Sequence, residues 1–194
     1  VEGAGGRKRA AISRVAADAI RVDGRLDEDA WLRAEPIADF VQKEPDEGKK
    51  PTDDMEVRFA YDDDTLYVAA RMFTRNAPEV QAALSRRDNT DQSEKFVVAL
   101  DTFFDHLTAV EFGVTASGVR LDRFYPSDNR ESFDAGFDPV WVAKTGRDTA
   151  AWTAELSIPF SQLRFSRASQ QVWGLQVRRF RPTLDEEDYW VLIP

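Results

Sequence analysis

Thirty-five carboxylic acids and one histidine set the limits on the chemistry of this 194-residue chain. A single imidazole removes every metal or catalytic arrangement that needs two. His106 lies beside Phe103, Phe104 and Leu107, with no nucleophile-elbow glycine pattern around it, so a Ser-His-Asp hydrolase is not indicated. Phosphate-binding glycine loops and EF-hand spacing are both missing from the sequence, and with no cysteine there are no disulfides or thiolate metal sites. A glycosidase pair depends on carboxyl separation in space, which abundance cannot supply. Hard-oxygen chemistry is the option left to the acids. Asp62-Asp63-Asp64, Asp101 with Asp105, and the group Asp128, Asp134 and Asp138 are each suited to calcium or, equally, to plain solvated turns. Asp101 and Asp105 are the named candidates, for a structural calcium.

The five tryptophans carry the other signal, because flat rings stack on sugars as they do on other planar partners. Trp31, Trp141, Trp152 and Trp173 sit in or beside apolar periodicity and read as core. Trp190 follows the acidic run Asp185-Glu186-Glu187-Asp188 near a strand start, where burial and exposure both fit.

Around these residues the pattern is one of short strands. Val57, Phe59 and Tyr61 alternate with Glu56, Arg58 and Ala60, and the aspartate triplet turns the chain into an apolar return strand over 65–73. Further strands are expected at 20–22, 96–100, 110–114, 119–124, 140–144, 152–158, 172–180 and 189–193. Helical turns are expected at 27–32, from an acid-rich first turn, and at 159–163, opened by proline. Residues 78–87 read as a short helix or an irregular crossing, and 42–54 and 126–139 as loops. Residues 1–18 form a flexible lead-in, and 19–194 one domain. Many strands without strand–helix–strand alternation give an all-β, antiparallel β-sandwich of jelly-roll kind.

The apolar share of 42% places the chain in the globular class, and the net charge of -9 disfavours nucleic acid and anionic membrane surfaces. No run of about 18 apolar residues predicts a membrane helix, and direct membrane insertion is not expected. The start VEGAGG, without Met, reads as a trimmed N-terminus.

Several spaced phrases then carry a resemblance. Ile20-Arg21-Val22-Asp23-Gly24-Arg25-Leu26-Asp27-Glu28-Asp29-Ala30-Trp31, Val57-Arg58-Phe59-Ala60-Tyr61-Asp62, Trp152-Thr153-Ala154-Glu155 and Trp173-Gly174-Leu175, in that order, resemble the family 9 carbohydrate-binding modules. Arg86-Arg87-Asp88, Leu100-Asp101-Thr102-Phe103, the phrase running from Pro159 to Phe165, and Glu187-Asp188-Tyr189-Trp190 are similar to a group of bacterial envelope proteins. In that group such a module precedes a C-terminal region expected to be an outer-membrane β-barrel.

The resemblance implies a noncatalytic module that recognises a sugar end, in the periplasm, at the outer membrane or secreted, with the C-terminal region of the same longer protein as a partner. It also implies two alternatives: an accessory domain making protein contacts, or one serving a glycoside hydrolase. Family sugar sites use two stacking tryptophans, one falling at Asp91 or a neighbour and the other near Trp190. Family polar positions fall at Gln176 and Arg178, and a sugar-binding arginine falls near Gly113. Trp190 is thus the expected platform, with Gln176 and Arg178 as hydrogen-bond donors.

Overall fold

The computed structural model describes residues 8–75, 80–129, 131–134 and 136–192. Eleven strands among them form two stacked sheets, as the two-residue periodicity predicts.

The first sheet has five strands. These are β1 (Ser13–Arg14), β3 (Met55–Tyr61), β4 (Thr65–Phe73), β9 (Ala151–Pro159) and β8 (Val142–Arg147), adjacent in that order. The second has six: β2 (Val41–Glu44), β11 (Glu186–Tyr189), β10 (Gly174–Arg181), β5 (Lys95–Asp101), β6 (Ala109–Thr115) and β7 (Arg120–Tyr125). All pairs are antiparallel except β1 with β3.

Alternation along each strand decides what enters the space between the sheets. Val57, Phe59, Val68, Met72, Trp152, Ala154, Leu156 and Ile158 come from the first sheet, and Phe96, Val98, Phe112, Val114 and Val177 from the second. One end of this core is polar. Arg179, fully buried on β10, donates to Glu94 Oε1 from Nε at 2.8 Å and from Nη2 at 2.6 Å. Trp152 Nε1 donates to the same oxygen at 2.7 Å. Arg181, two residues on, pairs with Glu186 and Asp53. Buried charges persist only when paired and hydrogen-bonded, and these arginines are.

The outer face of the five-stranded sheet is covered. Residues 15–34, with the short helix α1 (Asp29–Arg33), pack Ile20, Ala30, Trp31 and Ala34 against Ala60 and Ala69. Glu155 of β9 fastens this cover: it accepts Trp31 Nε1 at 2.8 Å, Asp23 N at 2.9 Å and Gly24 N at 2.7 Å. At Gly24 (φ +90) an added Cβ would lie 2.7 Å from the Thr145 backbone, so only glycine lets the turn come this close. The phrase from Ile20 to Trp31 is therefore a clasp.

Several boundaries differ from the sequence reading. Residues 20–22 form no strand; Arg21 N donates instead to Glu28 Oε1 at 3.2 Å. Part of the expected lead-in is tied down, with Ser13 and Arg14 extending the first sheet beside Ala60 and Tyr61. Residues 41–44, partly read as loop, join β11, and the last strand among the described residues is 186–189 where 189–193 was expected; residue 193 lies outside the described residues. Residues 80–87 cross irregularly; 76–79, the start of that segment, lie outside the described residues. Trp31, Trp141 and Trp152 are buried as expected, but Trp173 is only half-buried. It precedes β10 at the rim of the sandwich, where Phe160 and Phe165 pack against it.

Candidate functional site

Among the described residues no helix lies across the outer face of the six-stranded sheet, and a cavity of about 270 Å³ opens on it. Asp91, Lys95, Val97, Glu111, Leu121, Arg123, Arg178, Phe180 and Glu187 line it.

Its floor follows from register. Val97 of β5 lies opposite Gly113 of β6, which lies opposite Leu121 of β7. A Cβ at Gly113 would come within 2.9 Å of Leu121 Cγ and 3.0 Å of Phe96 O. The glycine thus leaves a shallow apolar floor where a longer side chain would fill the cavity.

The walls are a chain of charges. Arg178 on β10 pairs with Glu111 of β6 and, at 3.3 Å, with Glu187 of β11. Tyr125 donates its hydroxyl to Glu111 Oε2 at 3.0 Å and shares a side-chain hydrogen bond with Arg123. Opposite carboxylates hold the Arg178 guanidinium firmly protonated, with Glu111 the largest favourable influence against the cost of burial. Lys95 Nζ reaches Asp91 Oδ1 at 3.1 Å and stands 5.0 Å over the Phe180 ring. Arg123 lies 4.5 Å over the ring of Phe133, which arrives from the loop after β7 and is 40% exposed. Cations seated on ring faces are held in place at partly exposed sites.

Of the expected binding residues, only Arg178 lines the cavity. Gln176 lies one position down the same face, but its amide is engaged with backbone: Nε2 donates to Val191 O at 2.6 Å, and Oε1 accepts Val191 N at 3.2 Å. Trp190 corrects the sequence reading. It is 5% exposed and belongs to the core, so its ring offers no face to a sugar. The acidic run misled because it is a strand: Glu186 and Asp188 turn inward to Arg181, and Trp190 follows them inward. At the other expected ring position, Asp91 is present on the cavity wall.

Asp101 and Asp105 hold backbone. Asp101 accepts Asp105 N at 3.1 Å and His106 N at 2.8 Å; Asp105 accepts Leu107 N and Thr108 N, both at 2.8 Å. These bonds shape the loop between β5 and β6, in which Phe104 and His106 adopt positive φ. Backbone amides at Asp105 pull its carboxyl below the usual range. Among the described residues no three acidic, histidine or cysteine side chains gather to hold a metal.

Lys95, Glu111, Arg123, Phe180 and Glu187 were missed from sequence. For Lys95 and Glu111 the signal was present, since each alternates with the apolar core residues of its strand; Arg123, Phe180 and Glu187 lie in strands whose inward positions are themselves charged, so alternation of polarity does not mark them. Nothing in the sequence says which outer face stays open.

The architecture is shared with solved carbohydrate-binding modules. A family 9 module from Caldicellulosiruptor kristjanssonii, solved with glucose, superposes with a TM-score of 0.65 at 16% identity, covering 93% of this chain and 85% of that one. The same organism's family 9 module with cellotriose gives 0.62 at 15% identity, covering 94% and 84%. At these identities the likeness establishes the fold. No protein-family model matches the sequence, and no curated protein does.

Proposed function

We propose that this domain binds carbohydrate, and that the sugar lies in the open cavity on the six-stranded sheet. The observation that carries the reading is the cavity's make-up: the half-buried Phe180 ring above buried Val97 and Leu121, ringed by donors and acceptors held by their neighbours. A pyranose has the same division, apolar C–H faces and a rim of hydroxyls. Fixed polar groups add selectivity at small ordering cost. The fold supports the reading, because similar modules are solved with glucose and cellotriose. No nucleophile–base pair stands in the cavity, so binding without catalysis is the role proposed. The sequence phrases shared with envelope proteins support a place in a larger bacterial envelope protein.

Titration of mono- and disaccharides, followed by amide NMR shifts, tests this. Shifts gathered at residues 95–97, 111–113, 121–123 and 178–180 are expected, with millimolar dissociation constants typical of one shallow contact. Shifts elsewhere, or none with any sugar, would sink the proposal.

A second reading, protein contact, is favoured by the loop between β5 and β6. Phe103 is 51% exposed, Phe104 42% and Leu107 60%, on a backbone that Asp101 and Asp105 hold rigid. Absence of sugar binding would make that loop the leading site.

A further inference from the structure

We infer that the sugar this cavity prefers is an acidic one, a uronide whose carboxylate sits against Arg123. The inference rests on the carbohydrate reading and adds the ligand's charge class.

Six ionisable side chains line the cavity, three cations (Lys95, Arg123, Arg178) and three carboxylates (Asp91, Glu111, Glu187), so its formal charge is balanced. Availability to a ligand is not. Arg178 and Glu111 have side chains only 13% and 7% exposed, and each is bound to the other. Glu111 has both oxygens engaged, one by Arg178 and one by Tyr125. Glu187 takes the remaining side of Arg178. These groups neutralise one another, and a ligand would have to break buried pairs to use them as charges.

The other two cations are differently placed. Lys95 is paired with Asp91, whose side chain is 81% exposed. The Lys95 side chain itself is only 17% exposed, so this pair offers no free cation to a ligand. Arg123 forms no ion pair among the described residues: it rests on the Phe133 ring and bonds to the Tyr125 hydroxyl. A guanidinium presents its donors in a fork that matches a carboxylate, and ring contact below leaves that edge to the ligand. Arg123 is therefore the one lining cation that no carboxylate holds among the described residues, while Asp91 keeps the Lys95 side acidic. The two cations lie on opposite sides of the cavity, with Lys95 near the start of β5 and Arg123 on β7 at the far edge of the sheet. A sugar ring seated in the cavity places a ring carboxylate at Arg123 and hydroxyls toward Lys95 and Asp91. The overall charge of -9 opposes anions at a distance, but physiological salt screens it beyond about 8 Å, so the local groups decide.

Calorimetric titration of the whole domain with glucuronic and galacturonic acid and their disaccharides, beside glucose, galactose and cellobiose, tests the inference. A uronide is expected to bind about fivefold tighter than its neutral counterpart at low salt, as one partly exposed charge-assisted pair gives. That preference should shrink in half-molar salt and vanish in Arg123→Gln, which should bind the uronide and its neutral counterpart equally. Equal or weaker binding of the uronide overturns the inference while leaving the carbohydrate reading intact, as does a preference that survives Arg123→Gln. Acetate binding as tightly as the uronide marks a bare anion site and overturns it too. If neither class of sugar binds, both readings fall.

Discussion

The two outer faces of this sandwich are built from the same alternation, yet they end in opposite states. On the five-stranded sheet, Ala60 and Ala69 face outward and are almost fully buried, because residues 15–34 lie across them. On the six-stranded sheet, the outward positions hold Lys95, Glu111, Arg123 and Arg178, which line an open cavity. Small residues invite a cover that packs closely. Long charged ones satisfy each other and keep the face wet. The covered face has one carboxylate with no cation of its own, Glu155, fed only by N–H donors. Its open counterpart, Glu111, answers to an arginine. The first arrangement fastens chain to chain, whereas the second presents fixed polar groups to whatever enters.

Removing the cover's anchor tests this contrast most severely. Trp31→Ala should destabilise the domain by about 3–5 kcal/mol, the range for deleting a buried indole. It also strips Glu155 of one of its three donors. Denaturant melts measure the loss; a change below about 1 kcal/mol would show that the clasp does not hold the fold.

A smaller effect should come from pH, and it should arise on the covered side. Burial pushes the Glu155 carboxyl from 4.5 up to about 7, against the pull of its three N–H donors. An acid raised in the folded state favours folding at low pH: its contribution is complete below about 4.5, where unfolded chains are protonated too. That contribution is lost as pH rises through about 7. Asp188, raised to about 7 by burial and by neighbouring Glu186, acts in the same sense. Thermal melts should therefore show a higher midpoint at pH 5 than at pH 8, by at most about 3 kcal/mol for Glu155 alone. Glu155→Gln, whatever its own cost, should flatten much of that slope. An unchanged slope would place the titration elsewhere.

On the open face the smallest stability effect and the clearest functional one should coincide. Phe133→Ala removes a ring that is 40% exposed, and melts should move by less than about 1 kcal/mol. Arg123 loses the surface it stands on, so sugar affinity measured by NMR titration should drop severalfold. Unaltered affinity would detach the loop after β7 from the site.

Much of the fold was legible in the residues themselves. Val57, Phe59 and Tyr61, or Trp152, Ala154, Leu156 and Ile158, announce strands because side chains alternate between faces whatever the surroundings. Asp23-Gly24 announced a tight turn, and the structure has one there. The candidate site was legible only in part. Arg178 was found through family resemblance, while Lys95, Glu111 and Arg123 come from three strands whose adjacency exists only after the sheet has assembled.

What the sequence by itself determined is therefore the local geometry: which residues share a face, where the chain turns, and that no imidazole or thiolate chemistry is available. Tertiary structure decided which outer face stays open. It also decided the fate of the acids, since a carboxylate's role depends on what reaches it. Arg181, brought alongside by strand pairing, drew Glu186 and Asp188 inward and took Trp190 with them. Asp101 and Asp105 were claimed by amides of their own loop. Alternation is a property of the covalent chain, fixed by backbone stereochemistry. Pairing is a property of distance, and distance between residues more than a hundred positions apart, such as Glu155 and Gly24, is set only by folding.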